Sequence, residues 1–305
     1  MKTIGVDLGG TNIKAALVDE QGKILKEKSV KTNLPRPAER VCDDIAALCN
    51  ELAGGQQMAG IGVGCPGTVD GGMVLYSNNL DWKNFAMGDY LTAKTGLSVR
   101  IANDANAVAL GEALAGCARG AHSAVILTLG TGVGGGVIVN GKVIDGAHGA
   151  GGEIGHITVN PHETAVCGCG KRGCLEQYSS ATGVVRCMKK LLDANPDTAC
   201  TLRGKDFEAK DVFDAARAGD ALAAREVDEM AATLGMALAN IAATTDPEMF
   251  MIGGGVARAG EVLFNPLVRH YKEYAFQSCK ETPIKAASLG NDAGIYGAVR
   301  LIVGA

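Results

Sequence analysis

Four residues in the middle of the chain have the side chains and the spacing of a metal site. Cys167, Cys169 and Cys174 follow the pattern Cys-x-Cys-x4-Cys, and His156 precedes them. Zinc binds thiolates and imidazole tetrahedrally, and glycines between the cysteines let the backbone fold around a small ion. The pattern predicts a structural zinc site with His156 as the fourth ligand, and His162 is the competing candidate for that place.

Two glycine-rich segments could bind phosphates. Residues 6–11 (Val-Asp-Leu-Gly-Gly-Thr) and 128–132 (Thr-Leu-Gly-Thr-Gly) each follow an apolar run that reads as a strand, and each leads into a hairpin. Glycine lets main-chain groups approach a ligand closely, so the two turns could hold one polyphosphate from two sides. The alternative is a pair of ordinary tight β-turns.

Two known nucleotide-binding patterns fail here because of their context. Residues 130–135 fit G-x-G-x-x-G, but a strand follows where a dinucleotide site needs a helix. Residues 136–142 begin a P-loop pattern, yet Val143 stands where a hydroxyl must bind magnesium. We expect neither site, and we expect Lys142 to be a solvated strand residue.

Asp104 is the candidate catalytic base. It follows a short strand and opens a helix of small residues, so Asn103 or Asp104 could simply be the N-cap of that helix. A carboxylate at a strand end of an α/β domain also points to the region where ligands bind. There it could accept the proton of a substrate hydroxyl, and the spacing leaves both interpretations open.

Acidic and imidazole side chains surround the cysteine cluster. Glu153, His156 and Glu176 are suitable hydrogen-bond partners for sugar hydroxyls. If zinc binds one ring nitrogen of His156, the other nitrogen is oriented to hold a substrate oxygen. Alternatively, the two glutamates are surface loop residues.

The elements that must position these residues alternate between strand and helix. The first third reads β-β-β-α-β-α-β-α, a mixed α/β layer, and a second region of similar pattern starts near Ala121. In that region Asn140-Gly141, between apolar runs, indicates a hairpin. The predicted strands are 3–7, 13–18, 23–30, 60–65, 99–101, 124–129, 136–139, 142–144 and 249–252, and the predicted helices are 38–52, 104–115, 177–192, 209–218, 221–243 and one from 292 onward.

Composition excludes some classes of partner. The chain has 305 residues, a formal net charge of -4 and no long block of Lys and Arg, so duplex nucleic acid and anionic membranes are not expected as main partners. It shows neither a signal-peptide pattern nor an apolar stretch long enough for a bilayer. We therefore expect a cytoplasmic protein, in which a disulfide between the clustered cysteines is unfavourable.

Seven motifs, taken in order, resemble the ROK family (repressor, open reading frame, kinase). The resemblance covers essentially the whole chain, and residues 77–84 and 179–183 are most similar to the bacterial glucokinases of that family. The motifs lie at residues 7–14, 65–67, 103–106, 129–136, 151–156, 167–176 and 253–257.

The resemblance implies a two-lobed, actin-like (ribonuclease-H-like) α/β ATPase fold with an interlobe cleft. Residues 1–118 would form a small lobe, joined by the C-terminal helix 292–305, and residues 119–291 a large lobe with the zinc loop 156–176. The implied activity is transfer of the γ-phosphoryl group of ATP to the 6-hydroxyl of glucose, a glycolytic reaction.

Other members of the family suggest alternatives. The acceptor could instead be N-acetylglucosamine, N-acetylmannosamine, allose or fructose, or the chain could be a non-catalytic sugar-binding regulator. Repressors of the family carry a helix-turn-helix domain before the first strand; because that strand begins by residue 3 here, we do not expect a repressor.

The resemblance also assigns cofactors and residue roles. ATP, Mg²⁺ and a structural Zn²⁺ are the implied cofactors, and a homodimer or homotetramer is the implied assembly. Asp104 would be the catalytic base. The sugar would be bound by Gly67, Asn79, Asn103, Asp104, Glu153, His156 and Glu176. The phosphates and Mg²⁺ would be lined by Asp7, Gly9, Gly10, Thr11, Lys14, Thr131 and Gly132, with Gly254 and Gly255 near the nucleotide. Zinc would be bound by His156, Cys167, Cys169 and Cys174.

Overall fold

The structure, a computed structural model, describes residues 1–304. Its strands are β1 (Thr3–Leu8), β2 (Asn12–Val18), β3 (Ile24–Lys31), β4 (Ile61–Cys65), β5 (Thr68–Asp70), β6 (Met73–Ser77), β7 (Trp82–Phe85), β8 (Val99–Asn103), β9 (Ala124–Leu129), β10 (Val133–Val139), β11 (Lys142–Val143), β12 (Met249–Gly253) and β13 (Ile284–Ala286). Its α-helices are α1 (Ala38–Ala53), α2 (Met87–Thr95), α3 (Asp104–Ala115), α4 (Glu176–Ser179), α5 (Ala181–Ala194), α6 (Ala209–Arg217), α7 (Ala221–Thr245), α8 (Glu261–Tyr274) and α9 (Ala293–Val303).

The chain packs into two compact units. Unit 1 comprises residues 1–124, residues 136–152 and the C-terminal segment from Ala287, and unit 2 comprises residues 125–135 and 153–286. The lobe boundaries expected from the sequence remain a prediction.

Unit 1 is built on a sheet with strand order β3-β2-β1-β4-β8. Strands β1, β4 and β8 run parallel, so their carboxyl ends lie at one edge of the sheet. Strands β1 and β4 are apolar and almost fully buried because helices cover the sheet. One side is filled by a cluster that includes Val6, Val63 and residues of α1 such as Ile45.

Glycines let α9 pack directly on the same sheet. A Cβ at Gly5 would lie 2.5 Å from the carbonyl oxygen of Ile295, and one at Gly62 would lie 1.7 Å from that of Ala298. Both distances are far below van der Waals contact, so only glycine fits at these two strand positions. The absence of side chains there brings the start of α9 close to the end of β1.

The second sheet has strand order β11-β10-β9-β12-β13. Strands β12 and β13 are parallel, and unit 2 also contains helices α4 to α8. Lys142 is an exposed residue of β11, which pairs with β10, so the prediction of a solvated strand residue is confirmed. No helix among residues 1–304 is both long and apolar enough to cross a membrane.

Most predicted strands and helices are confirmed, with three corrections. The single helix predicted over 177–192 is wrong, because the chain breaks at Ser180, whose hydroxyl accepts a hydrogen bond from the N–H of Gly183 (3.0 Å) and starts α5. Strand β10 begins at Val133 rather than at Gly136. The three-stranded sheet β5-β6-β7, helix α8 and strand β13 were not predicted.

Candidate functional site

Asn103 closes β8 and caps α3. Its Oδ1 accepts hydrogen bonds from the N–H groups of Ala105 (2.9 Å) and Asn106 (3.2 Å), and its Nδ2 donates to the carbonyl oxygen of Gly67 (2.9 Å). One side chain therefore satisfies the helix start and ties it to the loop after the neighbouring strand β4. The open choice of N-cap is settled in favour of Asn103.

Asp104 is consequently not needed as the cap. It is the first residue of α3, at the carboxyl edge of the unit 1 sheet, and its Oδ1 accepts from the N–H of Ala105 (2.9 Å). Burial raises the pKa of this carboxyl above its ordinary value, against the lowering effect of the backbone N–H groups. The side chain is still partly exposed, so a substrate hydroxyl can reach it.

Gly67 brings a further predicted residue to this edge. Its φ is +107°, and an added Cβ would lie 2.2 Å from the carbonyl oxygen of Tyr76. The end of β6 therefore lies against Gly67, and the turn that follows it carries Asn79, which is exposed. Within unit 1 the structure thus brings Gly67, Asn103 and Asp104 together. Asn79 lies in the turn after β6, the strand whose end contacts Gly67.

The first glycine-rich turn joins β1 to β2. The N–H of Gly9 donates to the carbonyl oxygen of Asn12 (2.9 Å), and the Gly9 carbonyl oxygen accepts from the Thr32 hydroxyl (2.7 Å). The turn is fixed at its base by these bonds, while Gly10 and Thr11 are exposed at its tip. Main-chain groups at an exposed, fixed glycine turn are suited to bind phosphate oxygens.

Asp7 and Lys14 lie opposite each other on β1 and β2. Lys14 Nζ contacts Asp292 Oδ1 at 2.6 Å and Glu27 Oε2 at 3.2 Å. The pKa of Asp7 is raised to about 6, chiefly by burial and then by the charge of Asp104, although Lys14 opposes the shift. A partly buried carboxylate beside a lysine is suited to bind a metal ion together with a phosphate. The positive charge of the metal ion would stabilise the ionised form of the Asp7 carboxylate.

Asp292 is a site residue that the sequence did not reveal. It follows Lys14 by 278 positions, and no spacing pattern connects them. Its neighbour Gly294 packs against Asp7, since an added Cβ would lie 2.8 Å from the Asp7 carboxyl carbon. Residues 292–294 therefore contact both members of the Asp7–Lys14 pair.

The second glycine-rich turn joins β9 to β10 in unit 2. Its Gly130 carbonyl oxygen accepts from the N–H of Ala181 (2.7 Å), and its Thr131 carbonyl oxygen accepts from the Thr182 hydroxyl (2.7 Å). The start of α5 thus holds the turn from one side, and the Thr131 side chain is exposed.

Gly254 and Gly255 lie beside the same turn. Gly254 has a φ of +83°, and an added Cβ would lie 2.4 Å from the Leu129 carbonyl oxygen, so the end of β12 packs on the end of β9. A cavity of about 660 Å³ opens next to them within unit 2. Its wall includes Thr131, Ala181, Phe207, Lys210, Phe213, Arg217 and Gly255.

The volume and apolar walls of this cavity suit the nucleoside part of a nucleotide, with its phosphates extending toward the turn. Helix α6 was predicted, but not that its Phe213 and Lys210 form a wall of this cavity. The apolar periodicity of α6 was the only available signal, and it does not distinguish a cavity wall from a core face.

The four predicted metal ligands come together in unit 2. The ligand atoms of His156, Cys167, Cys169 and Cys174 all lie within 4.8 Å of one another. Cys169 Sγ is 3.7 Å from Cys174 Sγ, and Cys167 Sγ is 3.9 Å from His156 Nδ1. A tetrahedral zinc–thiolate site with bonds of about 2.3 Å places sulfurs about 3.8 Å apart, so the donor set fits zinc.

His156 points its two ring nitrogens at different groups. Nδ1 faces the cysteines, and Nε2 lies 3.9 Å from Glu153 Oε2, whose side chain is exposed. His162, the competing ligand, is exposed and lies outside the cluster. The loop therefore presents His156 Nε2 and Glu153 together, on the side away from the thiols.

Glu176 contacts the second glycine-rich turn, which the sequence did not suggest. Its Oε2 accepts from the N–H of Val133 (3.0 Å), and an added Cβ at Gly132 would lie 2.2 Å from that oxygen. The other oxygen lies 3.6 Å from Cys167 Sγ. Glu176 therefore supports the second glycine-rich turn and adjoins the metal cluster at the same time.

Comparison with known proteins identifies the family. The sequence profile of the ROK family matches residues 3–304 of the chain. Glucokinase from Halalkalibacterium halodurans is 41% identical over 308 residues, covering 96% of this chain and 92% of that protein. Glucokinase from Thermotoga maritima is 41% identical over 309 residues, covering 99% of this chain and 97% of that protein.

A solved structure agrees with these sequence relatives. The ROK family glucokinase from Streptomyces griseus in complex with glucose and AMPPNP has a TM-score of 0.81 and 37% identity, with 100% of both chains covered. The chain belongs to the ROK family. The predicted fold class, the actin-like α/β fold of ROK kinases, is confirmed by this similarity.

Proposed function

We propose that the protein is an ATP-dependent hexose kinase that transfers the γ-phosphoryl group of ATP to the 6-hydroxyl of glucose. The products would be ADP and glucose 6-phosphate, at the entry to glycolysis. The observation that carries the proposal is Asp104: a carboxylate freed from capping by Asn103, at the edge where three parallel strands end, in a chain similar to glucokinases.

Asp104 would orient the attacking hydroxyl and accept its proton. In a loose phosphoryl-transfer transition state the proton leaves late, so the placement of the base matters more than its strength. As the family resemblance implies, Asn103, Asn79 and the backbone at Gly67 would bind sugar hydroxyls. Glu153, His156 and Glu176 are the other proposed sugar-binding residues.

The nucleotide would occupy the cavity beside Gly255, with its phosphates toward the second glycine-rich turn. The family resemblance assigns main-chain groups at Gly9, Gly10, Thr11, Thr131 and Gly132 to the phosphate oxygens, and Lys14 would add positive charge. Asp7 would hold Mg²⁺, which, when bound, neutralises charge on the phosphates. Gly254 would hold the second turn in place through its contact with Leu129.

Zinc would be held by His156, Cys167, Cys169 and Cys174 as a structural ion. Coordination at Nδ1 would fix the ring of His156 and orient Nε2, next to Glu153, toward a sugar hydroxyl. The metal would then serve sugar binding rather than phosphoryl transfer.

We also propose a cytoplasmic location and a homodimer or homotetramer, as in the expectation from the family. Light scattering of the purified protein measures the second point, and a monomer at micromolar concentration would contradict it. The choice of glucose over other acceptors rests on the similarity to glucokinases.

The test is a coupled ADP-release assay with glucose, fructose, allose, N-acetylglucosamine and N-acetylmannosamine. We expect the highest kcat/KM with glucose and a product oxidised by glucose-6-phosphate dehydrogenase. A higher kcat/KM with another sugar would replace the acceptor. Sugar binding without ADP release from folded protein would favour a regulator.

A further inference from the structure

We propose that Glu112 is a positioning residue for the nucleotide phosphates. It anchors the segment that sets Lys14 and Asp7, although it lies outside every motif of the family resemblance. The inference rests on the proposed function, because it takes Lys14 and Asp7 to act on the phosphates and their metal.

Glu112 is a fully buried carboxylate whose oxygens are occupied by neutral donors. Its Oε1 accepts from the N–H groups of Ser288 (2.8 Å) and Leu289 (2.8 Å). Its Oε2 accepts from the Ser288 hydroxyl (2.9 Å) and the N–H of Cys117 (2.9 Å). The side chain is 0% exposed, so these bonds replace all of its hydration.

Three of these four donors belong to one short segment, 176 and 177 residues farther along the chain. A carboxylate with two donors on each oxygen fixes the position and orientation of residues 288–289. A neutral amide would leave at least one backbone N–H facing a donor. The four donors therefore fit the two oxygens of a carboxyl group, and an amide in that place would rearrange the segment.

The anchored segment leads directly to the predicted phosphate site. Four residues after Ser288, Asp292 contacts Lys14 at 2.6 Å. Two residues further, Gly294 packs against the carboxyl group of Asp7. Residues 288–294 thus join the Glu112 anchor to both members of the Asp7–Lys14 pair.

The helices on either side leave the segment little room to shift. An added Cβ at Gly111 would lie 2.1 Å from the Ala293 carbonyl oxygen, and one at Gly297 would lie 1.6 Å from that of Ala107. Helices α3 and α9 therefore pack backbone to backbone. Helix α3 begins at Asp104, the proposed base, and Glu112 lies about 12 Å farther along the axis of the same helix. Glu112 therefore ties the segment before α9 to the helix that carries the base.

The experiment compares Glu112→Gln with the wild type in steady-state kinetics and in binding of the non-hydrolysable nucleotide AMPPNP with magnesium. We expect a rise of roughly tenfold in KM for MgATP and in the Kd for AMPPNP, a lower kcat, and a glucose KM within about twofold of wild type. Unchanged KM for MgATP and unchanged AMPPNP binding in folded protein would overturn the proposal.

A matched variant separates positioning from loss of stability. Asp220→Asn also alters a carboxylate whose donors are neutral, namely the N–H groups of Thr201 and Ala223 and the Thr201 hydroxyl, but at the start of α7 in unit 2. We expect it to leave KM for MgATP within about twofold of wild type. A similar rise in both variants would mean that destabilisation causes the effect, and the proposal would fail.

If Glu112→Gln does not fold, Ser288→Ala decides the matter. It removes one hydroxyl donor and keeps both backbone bonds. A KM for MgATP raised about two- to fivefold with an unchanged glucose KM supports the proposal, and an unchanged KM overturns it. Failure of the wild type to transfer phosphate to any sugar would instead refute the proposed function.

Discussion

Asn103 and Asp104 are adjacent residues of similar size with separate tasks. The Oδ1 of Asn103 accepts a hydrogen bond at the start of α3, and its Nδ2 donates one to the Gly67 carbonyl oxygen. The orientation of the Asn103 side chain is therefore fixed at both of its ends. Asp104 is left with a carboxylate at the sheet edge and a raised pKa caused by burial. The pair places a basic oxygen on a rigid support, which is what proton transfer in a positioned complex requires.

Removal of the Asp104 carboxylate should abolish turnover and spare the fold. We expect Asp104→Ala and Asp104→Asn to lower kcat by at least about a hundredfold, because general base catalysis and hydroxyl orientation are both lost. Glucose affinity, measured by calorimetry, should stay nearly intact. A turnover above one hundredth of wild type would remove Asp104 from the role of base.

The pH dependence of kcat should report the same group. Because burial holds the pKa of Asp104 above its ordinary value, the ionised base is lost as pH falls through that raised value. The acid limb of the kcat profile should therefore lie above the ordinary pKa of an exposed aspartate. The same shift means that ionising Asp104 costs folding stability at neutral pH and that this cost disappears as pH falls. An acid limb at or below the ordinary aspartate pKa contradicts the prediction.

Among the elements, the predicted zinc loop adjoins two proposed sites through Glu176. Its carboxylate supports the second glycine-rich turn at Val133 and adjoins Cys167. Loss of the metal should therefore disturb sugar binding through His156 first, and the phosphate turn second.

Cys169→Ser should release zinc and weaken sugar binding. We expect loss of bound zinc in elemental analysis and a glucose KM raised about tenfold or more, since His156 loses the ligand bond that orients it. Cys200→Ser is the control, because Cys200 is a free cysteine outside the cluster. A zinc-free Cys169→Ser enzyme with normal glucose KM would contradict the link between metal and sugar site.

Sequence patterns predicted best those elements whose structure depends only on residues nearby in the chain. The Asn140-Gly141 hairpin and the strand-to-helix step at Asn103 depend on neighbours within a few residues, and both were predicted. The metal ligands lie within about twenty residues of one another and could also be read from spacing. The contact between Lys14 and Asp292 could not be, because it depends on how α9 returns to β1.

Glu112 shows the same limit in another form. An acidic residue among the small and apolar residues of α3 is a visible anomaly in the sequence. Three of its four donors, however, are the backbone N–H groups of Ser288, Leu289 and Cys117, and backbone groups cannot be recognised in a sequence pattern. Only the folded structure shows which groups the Glu112 carboxyl group binds.

At the scale of the whole molecule, unit 1 is made from separate parts of the chain. Gly5, Gly62 and Gly297 each accommodate a backbone contact made by α9. The contacts at Gly5 and Gly62 fasten the C-terminal segment to the N-terminal sheet, and the contact at Gly297 fastens it to α3.

Gly297→Ala should destabilise unit 1 because the new methyl group would lie 1.6 Å from the Ala107 carbonyl oxygen. Separating α3 from α9 should lower the free energy of unfolding by about 1–3 kcal/mol in urea titrations. Asn240→Ala, at an exposed site of α7, is the control and should be neutral or slightly stabilising. Equal stability of Gly297→Ala and wild type would show that the two helices can separate freely.

Because α9 follows the whole of unit 2 in the chain, the ribosome makes it after every strand it covers. Until then the face of β1 and β4 that bears Gly5 and Gly62 has no helix over it, although its strands emerged first. Apolar strands left uncovered during synthesis are prone to aggregate. Nascent chains of this protein should therefore depend on chaperones until Ala293–Val303 has left the exit tunnel.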